Sequence, residues 1–471
     1  MSASALFVEA GQPDDPRSVA FRAFAASIDR LIAAIDDLLT CQLNVILHDP
    51  AFRGMEARWR ALQMLVDQAG IGQGVLVRVL DAEWGTLARN LERAADFDQS
   101  HLFRMVYDEE FGMPGGLPFG LLVADYQIAP NVVTGGREPV EVLWRLASVA
   151  AAAFCPVVMD AAPQMFGFGS FADVSAASDM AAGRQDRPEL IRWTGLRKAD
   201  DARFLGLVAP GLMIRRPLTS CQAGRVDGFV FHESADRPLI IGGAFAFAAT
   251  VVEAFQGSGW FAAIRGARQD EIGGGRVPGF AAMDFGTDRH GLSAQPANQF
   301  RPTPTQEDAM IGLGVIPMSS LYHDSDPVFN ANPSLHLPPV FQGAVATQNA
   351  RLGAMLQYVL CTSRFAHYLK VIMRDEIGSI NDPSVIELRL KDWLRRYCLG
   401  NDDASQELKA QYPLRNADAH ISEIAGRPGA YRCTIHLQPH FQLDDITTSF
   451  QLIAETSLRR NGAADAERNT A

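Results

Sequence analysis

The sequence predicts a multi-layer α/β protein with a helical hairpin toward its N-terminus and strands toward its C-terminus. Three observations carry that expectation. Apolar residues recur every three or four positions between Val19 and Leu65. Strand-like and helix-like runs alternate between Gly74 and Asp160. A two-residue alternation returns after Asp418.

From Val19 to Leu39 the residues Phe21, Phe24, Ile28, Leu31, Ile35 and Leu38 draw one apolar stripe along a helix, which therefore needs a partner surface. After His48-Asp49-Pro50 the pattern resumes through Phe52, Met55, Trp59, Leu62 and Leu65 and stops near Gly70, as a second helix of a hairpin would. Trp59 is expected as a core anchor, because large aromatics dominate buried area. Gly74 to Leu80 reads as a strand, Ala82 to Ala95 as a helix, Phe119 to Ile128 as a strand, Pro139 to Phe154 as a helix and Val157 to Asp160 as a strand. That alternation favours a three-layer core.

Gly and Pro break up the middle of the chain, where Phe204 to Leu207 and Leu239 to Ile241 are short apolar runs. Ala244 to Phe255 fits a helix stopped by Gly257 and Gly259, and Gly266 to Pro304 reads as loop. One long helix is expected from Thr347 to Gly378 and another from Leu388 to Cys398. Strands are expected at Asp418 to Ile424, Tyr431 to Gln438 and Thr447 to Glu455. The expected divisions are a short arm at 1–18, a hairpin and α/β region at 19–171, an irregular middle at 172–342, a helix and strand region at 343–458, and a disordered tail at 459–471.

Composition narrows the function. The 471 residues are 48% hydrophobic and 20% charged, enough to bury a large core, and a net charge of -12 argues against nucleic-acid binding, which needs a basic face. Six cysteines at 41, 155, 221, 361, 398 and 433 show no paired spacing and suggest reduced thiols. The N-terminal stretch has no basic segment followed by a long apolar one, and no apolar run is long enough to span a bilayer, so the expected location is the cytoplasm without direct membrane insertion.

The residue types that catalysis would need are not arranged for it. Gly70 to Gly74 follows a helix, whereas a dinucleotide fingerprint follows a strand. The stretch around Ser170 misses the nucleophile elbow. His436 and His440 are four apart, which in a strand separates them by about 13 Å, too far for one metal. Arg364, His367 and Lys370 share neighbouring helical turns, where they either bind an anion or fix loop carbonyls. Arg197 and Asp201 read as a structural ion pair. Arg203, Arg215 and Arg216 either meet an acidic partner surface or balance acids such as Asp200, Asp201 and Asp236. No catalytic, metal or cofactor residue is expected.

The motifs DPAFRGMEARWRAL, PFGLLVADYQ, PQMFGFGSF, GWFAAIRG, SRFAHYLKVIMRDEIGS, YPLRNA and QPHFQL follow one another between Asp49 and Leu443. In that order they resemble the large subunit of the type VI secretion contractile sheath, the TssC, VipB or EvpB family. The resemblance implies a sheath-subunit fold whose C-terminal strands pair with neighbouring subunits. It gives structural roles to Trp59, Arg364, His367, Tyr368, Lys370, Arg374, Pro439, His440 and Phe441. The implied partners are a small sheath subunit of the TssB or VipA type, further sheath copies, the inner-tube protein Hcp and a ClpV-type ATPase. Strand sharing fits Thr447, Thr448, Ser449, Phe450, Gln451, Leu452 and Ile453, whose backbone either joins a neighbour or pairs within its own domain.

The sequence departs from the family at its short N-terminal arm, at Gly211, where Arg is usual, and across Thr287 to Leu337. Two other readings stay open: a divergent sheath paralogue at a specialised position, and an α/β enzyme with an anion pocket near His367.

Overall fold

A computed structural model describes residues 16–70, 74–111, 113, 115–130, 138–177, 180, 188–219, 229–234, 237–267, 274–277, 296–321, 326–376, 383–401, 404–423 and 431–440. The chain divides into two compact units, Met1–Ser363 and Arg364–Ala471.

The first unit opens with helices α1 (Pro16–Leu47) and α2 (Pro50–Ala69), bent by 71° at the break between them. The break has local causes. Pro50 cannot continue the first helix, and the Asp49 carboxylate accepts the Ala51 and Phe52 N–H groups at 3.0 and 3.1 Å, starting the second. Then come α3 (Trp84–Arg93), the single turns α4 (His101–Phe103) and α5 (Glu109–Phe111) on either side of a π-helical turn at Arg104–Asp108, and β1 (Leu122–Ile128). Helix α6 (Pro139–Ala153), β2 (Val157–Ala161), α7 (Phe171–Ala176), α8 (Pro188–Lys198) and β3 (Leu205–Ala209) follow. The rest of the unit contains β4 (Leu212–Arg215), β5 (Leu239–Ile241), α9 (Gly243–Ser258), α10 (Pro304–Gly312), β6 (Val315–Ser320), β7 (Pro327–Phe329) and α11 (Ala344–Gly353). Helix α12 (Leu356–Glu376) begins here as well.

At the centre lies a five-stranded sheet in the order β1-β2-β3-β6-β7, parallel through β6 and antiparallel at β7. A mostly parallel sheet is covered on both faces, and here each strand shows it by parity. Val157, Met159, Leu205, Leu207 and Val315 pack in one cluster with Leu143, Leu146 and Ala150 of α6. Val158, Val208, Ile316 and Met318 pack in a second with Phe247 of α9, Ala61 and Leu65 of α2, and Leu356 and Leu360 of α12. The expected strands and helices from Phe119 to Asp160 and from Ala244 to Phe255 are present with ends shifted by a few residues.

Asp160 ties the sheet to its covering helix. It projects to the α9 side, is 5% exposed, and accepts the Ala244 N–H at 2.8 Å, capping α9 from a strand 84 residues away in sequence. Gly242 makes room for it, since a Cβ there would stand 1.7 Å from the Asp160 Oδ2.

Three expectations need correction. Trp59 is 69% exposed and is no core anchor within this chain. Helix α2 instead buries Ala61, Leu65 and Ala69, on the side of the helix away from Trp59. The small Ala residues let α2 close on the Ala-rich α9, whose Gln256 Nε2 donates to the Gln68 and Ala69 carbonyls at 2.7 and 2.9 Å. The strand expected at Gly74–Leu80 is absent: Val75 to Glu83 runs without turn or bend, but no described strand pairs with it. The long helix expected from Thr347 divides at Ala354 and Met355. There the Ser334 N–H donates to the Ala354 carbonyl and the Leu356 N–H to the Asn332 carbonyl, at 3.0 and 2.9 Å, so the neighbouring segment captures the backbone.

In the second unit the remainder of α12 is joined by α13 (Pro383–Arg395), α14 (Gln406–Gln411) and a hairpin of β8 (Leu414–Glu423) with β9 (Tyr431–Pro439). The register runs from Leu414 opposite Pro439 to Ile421 opposite Cys433 and beyond. Phe365 is fully buried, with ring centroids 6.0 Å from Trp393 and 5.9 Å from Tyr397, both edge-on.

Two predictions follow from this packing. The first concerns Asp160, whose carboxyl is pushed up to about 7 mainly by burial. Asp125 adds to the rise, while the Ala244 and Gly243 N–H groups oppose it. The folded value lies above the unfolded one of about 3.9, so the stability linked to the protonated form is complete below about pH 4 and is lost as the pH climbs toward 7. Asp160→Asn keeps an acceptor and cannot ionise, so urea melts should show it gaining on wild type between about pH 5 and pH 8. Asp160→Ala should lose about 1–3 kcal/mol. A flat difference between wild type and Asn across that range contradicts the assignment. The second compares two aromatics in denaturant melts. Phe365→Ala should cost about 3–5 kcal/mol in its unit, whereas Trp59→Ala should stay within about 0.5 kcal/mol in the isolated chain.

Candidate assembly surfaces

Helix α1 is 32 residues long, about 48 Å at 1.5 Å per residue. Its apolar stripe faces water. Phe21, Phe24, Leu31 and Leu38 are each more than 60% exposed, and Ile28, Ile35, Val45 and Ile46 are also open. On α2, Met55, Trp59 and Val66 extend the exposed apolar surface. Isolated surface apolar residues are ordinary, but a contiguous run on two successive helices marks an interaction face.

A second open element is the segment Val75 to Leu80, with Leu76, Val79 and Leu80 exposed. Arg78 pairs with Glu110 and lies over the Phe119 ring at 5.2 Å, which pins the segment to its own unit. Glu110 Oε2 also accepts the Leu117 N–H at 2.7 Å, and Tyr126 Oη donates to the Ala82 carbonyl at 2.6 Å.

Of the basic residues of the middle, Arg215 turns inward, whereas Arg216 is exposed. Arg215, at the end of β4, donates to Glu56 of α2 at 2.7 and 3.1 Å and to Glu233 at 2.5 and 3.1 Å. All three side chains are at most 14% exposed. Burial opposes ionisation of Glu56 and Glu233, but hydrogen bonds from Arg215 outweigh it and hold both carboxyls below their ordinary value. Arg203 pairs with Asp200 at 2.8 Å. Internal balance is therefore correct in kind, with Glu56 and Glu233 in place of the expected acids around Arg215. No local pattern could have found Glu56, which lies 159 residues from its partner.

Arg197 and Asp201 take separate partners. Arg197 donates to the Leu335 and Gly312 carbonyls at 3.0 and 3.1 Å, and Asp201 accepts from Ser148 Oγ at 3.0 Å.

In the second unit Arg364 donates to Tyr368 Oη at 2.7 Å and lies over that ring at 4.5 Å. His367 is buried, and burial lowers the pKa of Lys370. Lys391 bridges Glu387 and Asp418 at 2.9 and 3.2 Å, while Glu387 also accepts the Ile421 N–H at 2.9 Å, fixing α13 to β8. Pro439 pairs with Leu414, and the His440 N–H donates to the Pro413 carbonyl at 3.0 Å. Arg374 lies in α12 with its side chain outside the described residues. Phe441 and the strand candidates Thr447 to Ile453 also fall outside them. Among the described residues no cluster of three or more His, Cys, Asp or Glu is placed to hold a metal ion. No single described helix is long and apolar enough to cross a membrane.

Residues 29–336 match the family described as EvpB/VC_A0108, tail sheath N-terminal domain, and residues 345–456 match its gpW/gp25-like domain. The type VI secretion system sheath protein TssC1 of Pseudomonas aeruginosa is 33% identical over 437 residues, 91% of this chain and 86% of that protein. Among solved structures, the anti-feeding prophage baseplate aligns with a TM-score of 0.39 at 9% identity, over 80% of this chain and 82% of that one. The contracted anti-feeding prophage sheath aligns at 0.34 and 8%, over 65% of each. The chain belongs to the EvpB/VC_A0108 tail-sheath family, the large subunits of the type VI secretion sheath.

Proposed function

We propose that the chain pairs with a small sheath subunit of the TssB or VipA type through the exposed apolar faces of α1 and α2, and that these pairs polymerise with further copies around an Hcp inner tube. The open stripe on α1 carries the reading. Each large side chain moved from water into an interface contributes about 1.5–3 kcal/mol, so a stripe of this length supplies the driving force for a lasting heterodimer. Strand sharing through Thr447 to Ile453 links neighbouring pairs, with main-chain hydrogen bonds giving strength and alternating side chains giving register. Contraction of the lattice is then a rigid-body rearrangement that needs no catalytic group, and a ClpV-type ATPase takes the spent sheath apart in the cytoplasm.

Co-expression with the small subunit tests the pairing. Leu31→Glu with Leu38→Glu should leave the thermal melt of the chain unchanged, because both side chains already face water. The double substitution should weaken pairing by about a hundredfold or more, since it puts unpaired charge into an apolar interface. Negative-stain microscopy should show tubules with wild type and none with the variant. Tubules from the variant would remove α1 from the interface, and no complex with wild type would remove the partner.

A further inference from the structure

Helix α1 is held to its unit by polar contacts more than by apolar packing. Asp36, Thr40, Asn44 and His48 stand four residues apart and form a ladder along one face, continuing just past the helix end, while the exposed apolar residues occupy the remaining faces. The ladder meets the strap 229–234. Asp36 accepts the Val230 N–H at 3.2 Å and Thr40 Oγ1 donates to the Val230 carbonyl at 3.3 Å. Asn44 donates to the His232 carbonyl and accepts the Ser234 N–H, both at 3.0 Å, and His48 Nε2 lies 3.6 Å from Glu233.

The strap is in turn held by backbone pairing, with a Thr219–His232 bridge and the Glu233 N–H donating to the Leu218 carbonyl at 2.9 Å, and by the Glu233 side chain. Its carboxylate takes Arg215 at two points and the Leu218 N–H at 2.7 Å, and Arg215 reaches with its remaining donors to Glu56 of α2. Two carboxylates that would repel each other in this largely buried site are joined by one guanidinium, whose planar fork can serve both.

We propose that Arg215 is the positioning residue of the α1 arm: by joining Glu56 of α2 to Glu233 of the strap it sets where the polar ladder of α1 rests, and so which way the apolar stripe points toward a small sheath subunit. The last clause rests on the pairing proposed above. Lysine cannot replace arginine here, since one ammonium does not present two parallel pairs of donors to two carboxylates.

Hydrogen exchange on the full chain, for wild type, Arg215→Ala and Arg215→Lys, is combined with titration of the TssB-type small subunit. In Arg215→Ala the amides of α1 and 229–234 should exchange about tenfold faster or more, while β2 and β3 keep their protection. The Lys variant should fall between. Binding of the small subunit should weaken by about tenfold in the Ala variant, because the arm must be reordered on docking. Unchanged exchange in α1 overturns the proposal, as does loss of protection in β2 and β3 together with α1, which would make Arg215 a part of the core. If wild type binds the small subunit and Arg215→Ala binds it equally well, the positioning role fails alone. If wild type does not bind, the pairing fails, and the exchange data still decide whether Arg215 holds the arm.

Discussion

The parallel sheet must be covered on both faces, and the rest of the first unit depends on how that is met. Strands β2 and β3 are buried along their whole length, so each hides one row of side chains under α6 and the other under α9 and its neighbours. Asp160 then binds α9 to the sheet by an N-terminal cap, α9 holds α2 through close Ala contacts, and α2 presents Glu56 to Arg215. Only at the end of this series is α1 placed, by hydrogen bonds to a strap. The series runs from apolar burial, which is insensitive to direction, to polar contacts, which specify it.

That gradient fits a sheath subunit. A protein whose work is to assemble needs a rigid centre and surfaces that are unsatisfied alone, and the exposed residues Phe21, Leu31, Trp59 and Leu76 are unsatisfied in that sense. The run at Val75 to Leu80, with which no described strand pairs, and the hairpin of the second unit, two-stranded among the described residues, add backbone edges of the kind that isolated proteins usually protect.

Periodicity made α1, α2, α3, α6, α9 and α13 and the strands β1, β2, β8 and β9 legible, whereas α7, α8, α10, β6 and β7 lie where Gly and Pro break the pattern into runs too short to show. The signals around Asp49-Pro50 and Gly70 bounded α2, and runs such as Val157 to Asp160 found their strands. What stayed hidden were partners distant in sequence. Trp59 looked like a core residue because its size outweighs Ala61 and Ala69 in any reading of periodicity, yet it is small residues that permit close helix contact. Asp160 gave no sign that it caps a helix starting at Gly243, and Arg215 gave none that its acids are Glu56 and Glu233. The β-prone run from Gly74 was read as a strand from composition, but strand formation needs a neighbour, and no described strand supplies one. Family membership was legible because it rests on the order of many motifs, none of which decides it alone.

In the proposed pairing, α1 and its apolar stripe are the surface completed by a small sheath subunit. Electron cryomicroscopy of tubules formed by the co-expressed pair, at a resolution that shows side chains, tests it most directly. The small subunit should be seated along Phe24, Leu31 and Leu38, with Arg215 still joining Glu56 to Glu233. Tubules in which α1 remains open to solvent would contradict it.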